Sequence, residues 1–185
     1  MTDRAMNDRA MKAGVYVCGL ASLVAGVFDL LWGGFDSAHQ PIQAWGDNLA
    51  GYKFLAYITG IWMIAGGAAI LWRRSARAGA AALASIYFVF TVFWLPRLYT
   101  APRILGHGVR VYIGVLAGVG SQLIAVPAGA LVYAASASNR SLWPRTLLAA
   151  RWIFGLGSIV FGLSHLEYVE ESTIYVRPAD VNACR

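Results

Sequence analysis

Five side chains in this sequence have the types needed to hold a polar group or move a proton: Asp29, Arg97, His107, His165 and Glu167. A carboxylate and an imidazole can exchange protons near neutral pH, and a guanidinium can hold an anion. His39, Glu170 and Glu171 are of the same kind. Their spacing sets limits on the chemistry. No pair of the HxxxH or CxxC type occurs, so resident metal is weakly signalled. A haem would need an axial ligand inside a helix bundle, and His165 is the one candidate, with no evident partner. Neither a glycine-rich nucleotide loop nor a serine nucleophile elbow is present.

The elements that must position these residues are set by composition. Of 185 residues, 58% are hydrophobic and 13% charged, and the mean hydropathy is +0.57. Soluble domains carry about a quarter charged residues, so the chain reads as an all-α, polytopic membrane protein whose first partner is the lipid bilayer. The net charge of +6 does not point to nucleic acid. Its cations stand in short clusters between apolar runs, as topology signals do.

Apolar runs predict five spans: Gly14 to Gly34, Phe54 to Trp72, Ala78 to Leu95, Val111 to Ala135 with a break at Pro127, and Thr146 to Leu166. Pro96 should stop the third. The first apolar run is too long for a signal peptide, so it is expected to stay as a span. Arg4, Arg9, Lys12, Arg73, Arg74, Arg77, Arg140, Arg145 and Arg151 fall on one side of this topology. Lys53, Arg97, Arg103, Arg110, Arg177 and Arg185 fall on the other. The excess on the first side predicts a cytoplasmic N-terminus in a plasma or inner membrane. The arginines at 97, 103 and 110 run against the rule. Cys18 and Cys184 would lie at opposite faces, so no disulfide is expected.

All the histidines then lie on the outer side, together with Arg97, Glu167, Glu170 and Glu171. Such a cluster could hold a metal or take protons from a quinol at the membrane surface. The loops from His39 to Trp45 and from Trp94 to Pro102 put aromatics beside proline, which reads as an interfacial belt or as a re-entrant cap over an outer cavity.

An internal echo organises the rest. Val17–Leu30 overlays Ile153–Leu166 at an offset of 136 residues, with six identities in fourteen positions. Gly19, Ser22 and Gly26 align with Gly155, Ser158 and Gly162, and Asp29 aligns with His165. Two copies four spans apart share one orientation, so the repeat is parallel, and its second copy is not completed. The small residues predict close helix packing, within one bundle or between chains as a homo-oligomer. The recurring ionisable position reads either as part of a pocket or as a cap on each helix end.

With these segments in view, the chain resembles the DoxX-like membrane proteins. The likeness is carried by RWIFGLGSIVFGLSHLEY (Arg151 to Tyr168), GLASLVAGVFDL (Gly19 to Leu30), YITGIWMIAGGAAILWRR and WLPRL, and it covers most of residues 14–171. It implies a four-helix unit, so the chain divides into a cytoplasmic tail (1–13), the unit (14–135), a linker (136–147) and a truncated second repeat (148–185). It also implies a loose link to quinone-coupled sulfur oxidation. The resulting expectation is a non-catalytic small subunit of a membrane oxidoreductase, with a quinone head group or partner met by Asp29, Arg97 and His165 at an outer-face pocket. A small-solute carrier and a purely structural membrane protein are the alternatives.

Overall fold

The computed structural model describes residues 3–35, 51–136 and 142–167. His39, Trp45, Arg140, Glu170, Glu171 and Cys184 lie outside the described residues. The chain forms helices α1 (Asp3–Trp32), α2 (Tyr52–Leu71), α3 (Ala76–Trp94), α4 (Arg97–Leu105), α5 (Val109–Ser136) and α6 (Leu142–Glu167). Five segments are long and apolar enough to cross a membrane: Met11–Trp32, Lys53–Leu71, Ala76–Leu105, Val109–Ala135 and Trp143–Glu167. The protein is therefore a multi-pass membrane helix bundle.

Several boundaries differ from the sequence reading, each for a local reason. α1 begins at Asp3, so the described part of the expected tail is helical. α5 runs unbroken through Pro127, where a span was expected to be interrupted. A proline inside a bundle costs one backbone bond, and packing neighbours make that tolerable. α6 starts at Leu142, inside the expected linker, with Pro144 in its first turn, where a missing N–H is harmless. Pro96 ends one helix and opens the next, because its fixed φ suits the start of α4.

Packing follows chain order: α1 lies on α2, α2 on α3, α3 on α5 and α5 on α6, with α1 touching α5 more sparsely. Glycines make the α1–α2 seam. A Cβ on Gly26 would stand 2.6 Å from the Gly60 carbonyl oxygen, and one on Gly67 would stand 2.7 Å from that of Gly19. Both helices thus bring backbone against backbone at two points seven residues apart, which suits association in lipid, where dispersion replaces the hydrophobic effect. At the α2–α3 seam, a Cβ on Gly79 would collide with the Ile70 backbone. The Trp62 indole N–H donates across to the Ala82 carbonyl at 3.0 Å. Near the other end, Arg77 donates to the Tyr133 hydroxyl at 2.9 Å and ties α3 to α5.

The core has two centres. Ile70, Ala80 and Leu83 fill the half nearer Arg77, with Cys18 and Val132 against them. Phe35, Ala56, Met63, Ile86 and Phe90 fill the other half. Phe35 gets there because α1 stops at Gly33, whose φ of +60° a side chain would resist. The Gly34 N–H then closes back on the Asp29 carbonyl at 3.3 Å.

Candidate functional site

Asp29 sits in the last turns of α1, one turn beyond Ala25, which packs against the Phe35–Phe90 core. Its side chain is 0% exposed. A Cβ on Gly60 would come within 3.3 Å of the Asp29 Cβ, so the acid lies on the glycine seam with α2. The sequence left Asp29 as either a pocket residue or a helix-end cap; it stands three residues before the end of α1, with its side chain buried inside the bundle. Ionisable residues buried among spans are costly to place there and usually serve a role.

Other buried polar side chains stand at nearly the same level. Thr91 and Gln122 are both buried. The antiparallel register of α3 and α5 is fixed by Gly118, which abuts the Trp94 ring, and by Gly129, which abuts Ala80 and Ala84. That register puts Gln122 opposite the Phe90–Thr91 stretch. Thr91 spends its hydroxyl proton on the Tyr87 carbonyl at 2.8 Å, which leaves oxygen lone pairs to accept another bond.

One turn beyond Thr91 stands Trp94. Its ring lies against Gly118, and a Cβ there would overlap it. The Arg97 guanidinium covers the ring at 4.4 Å from the centroid. The Trp94 indole N–H is buried and has no acceptor among the described residues. A buried donor left without an acceptor costs about 1–3 kcal/mol.

The remaining expected residues gather at the end of the bundle where α4 lies, but not around Asp29. His107 is exposed between α4 and α5. Arg110 donates to the backbone carbonyl of Glu167 at 3.2 Å and so joins the start of α5 to the end of α6. His165 is exposed, with its ring edge-on to Phe161 at 4.8 Å. α6 packs along α5, and α1 along α2. Asp29 and His165, matched in sequence, are thus on helices that share no packed interface, one buried and the other exposed. Among the described residues, no three His, Cys, Asp or Glu side chains converge.

The echo is also unequal in structure. Gly19 and Gly26 are filled by α2, whereas Gly155 and Gly162 meet nothing within 4 Å. Ser22 is buried, and its counterpart Ser158 is exposed. Three residues at the site were not singled out from sequence: Thr91, Trp94 as a donor, and Gln122. A polar residue inside an apolar run was the available signal for Thr91 and Gln122. Nothing in the sequence marks the Trp94 N–H as lacking an acceptor among the described residues.

Comparison with family models, with curated proteins and with solved structures returned no match. The likeness to DoxX-type proteins thus rests on the quoted residues alone.

Proposed function

We propose that this chain is a DoxX-type, non-catalytic subunit of a quinone-linked membrane redox assembly, with its head-group site inside the four-helix unit. The observation that carries this reading is the buried Trp94 N–H, which has no acceptor among the described residues, one turn from Thr91 and near the level of Asp29. Groups of these types suit a quinone head group, whose carbonyl oxygens accept hydrogen bonds and whose ring prefers apolar surroundings such as the neighbouring Phe90–Met63 core. Trp94 would donate to one carbonyl. Gln122 can donate from its amide, and Asp29 can hold or release a proton in a site shielded from water. When bound, a quinone supplies two-electron, two-proton carrier chemistry. Arg97, stacked on Trp94, holds the indole in place.

The subunit part of the reading has separate support. α6 turns Gly155 and Gly162 to open space, while the aligned Gly19 and Gly26 seat a neighbouring helix. A bundle helix with such a face suits an assembly better than a solitary carrier. His165 leaves the site in this version, since it is exposed.

Capture of the full chain from native membranes in mild detergent tests the assignment. The reading expects a flavin- or haem-containing oxidoreductase subunit to co-purify, visible in the reduced-minus-oxidised spectrum. A blank spectrum, with solute flux in vesicles containing the chain alone, would support the carrier instead.

A further inference from the structure

α3 has 19 residues, which at 1.5 Å each give about 28 Å, close to the whole hydrocarbon thickness. The chain then turns at Leu95 and Pro96, and with α3 crossing the hydrocarbon by itself, α4 would start at the level of the lipid head groups. From Arg97 to Arg110 the sequence is RLYTAPRILGHGVR, with three arginines, one histidine and no acid. Its apolar side chains are not tucked under it. Ile104 is 80% exposed, Leu105 72% and Val109 73%. Arg103 and His107 are exposed among them.

The arginines of this hairpin are held rather than loose. The Arg103 guanidinium lies 3.7 Å from the centroid of the Tyr99 ring, and Arg97 is stacked on Trp94. Stacking fixes the plane of a guanidinium, and a guanidinium so held can grip phosphate oxygens in pairs through its edge N–H groups. Arg110 is anchored to the Glu167 carbonyl, and the Glu167 side chain is exposed at the end of α6.

We propose that the hairpin from Arg97 to Arg110 binds the head group of an anionic phospholipid, with Arg103 as its principal phosphate contact. Charge complementarity names the anion, and the exposed aliphatics name its carrier. A free phosphate has no use for Ile104, Leu105 and Val109, whereas a lipid brings acyl chains to cover them. This also gives a purpose to three arginines that disobey the charge pattern of the other loops. The inference does not depend on the quinone assignment: Arg103, Ile104, Leu105 and Val109 take no part in that site, and Arg97 is shared only through its stacking on Trp94.

Native mass spectrometry of the full chain in mild detergent, offered equal amounts of phosphatidylglycerol and phosphatidylcholine, tests it. The wild type should retain phosphatidylglycerol in excess. Arg103→Gln should lose that excess, Arg103→Lys should keep part of it, and Arg74→Gln at the opposite end should leave it unchanged. Ile104→Ser with Leu105→Ser should lower retention of both lipids. Arg103 and Arg74 are exposed, so helical content by circular dichroism should be the same in each variant. Equal retention of the two lipids by wild type would overturn the proposal. So would an Arg74→Gln effect as large as that of Arg103→Gln, or full displacement of the lipid by inorganic phosphate.

Discussion

At the residue scale, the weight falls on two groups buried in apolar surroundings, the Asp29 carboxyl and the Trp94 indole N–H. Trp94→Phe separates donation from packing, since the ring that covers Gly118 is largely kept. One hydrogen bond is worth about 1 kcal/mol, so quinone affinity should fall by roughly fivefold. The thermal midpoint in detergent should hardly move. Unchanged affinity, measured by titrating a soluble quinone analogue, would remove Trp94 from the site. His165→Ala is expected to leave quinone affinity alone, because that side chain is exposed on α6.

At the element scale, the aligned glycines give a comparison within one chain. Gly26→Leu drives a side chain into the Gly60 carbonyl and Ile64, and should destabilise the bundle by about 3 kcal/mol. Gly162→Leu, at the matching position of α6, meets open space and should change stability by no more than about 0.5 kcal/mol. Thermal unfolding in one detergent reads both. Equal losses would mean that the α6 face is filled in the isolated protein. The sequence showed this glycine register but not which copy is occupied. Apolar periodicity marks a helix and its small-residue face, whereas the neighbour that fills the face is a tertiary fact. The same division explains the site. Asp29 stood out as an acid in an apolar run, but its burial is set by the close approach of α2 at Gly60. α4 was hidden in what reads as a loop, because Pro96, Pro102 and Gly106 look like breakers from sequence. In space Pro96 opens the helix and Gly106, at φ +95°, closes it. The grouping of Asp29 with His165 came from an alignment, and sequence equivalence does not place two residues side by side.

At the scale of the whole molecule, five candidate spans among the described residues would put the start of α1 and the end of α6 on opposite sides of a membrane. The arginine excess beside the first, third and fifth span starts leads us to expect the α1 start in the cytoplasm. Reporter fusions after Arg74 and after His107 should then report cytoplasmic and external locations, respectively. The reverse pattern would move the α4 hairpin and its lipid to the cytoplasmic leaflet. Neither orientation alters the buried Asp29–Trp94 region, which either leaflet could supply with a hydrophobic ligand. The central claim is that this interior receives a quinone. Its most direct test is the quinone content of the organic extract of protein purified in mild detergent, compared between wild type and Asp29→Asn. The substitution preserves shape and removes the ionisable proton. Stoichiometric quinone in the wild type, lost in Asp29→Asn while the helical content stays the same, is the expected result. Only trace quinone in the wild type, or equal amounts in both proteins, would contradict it.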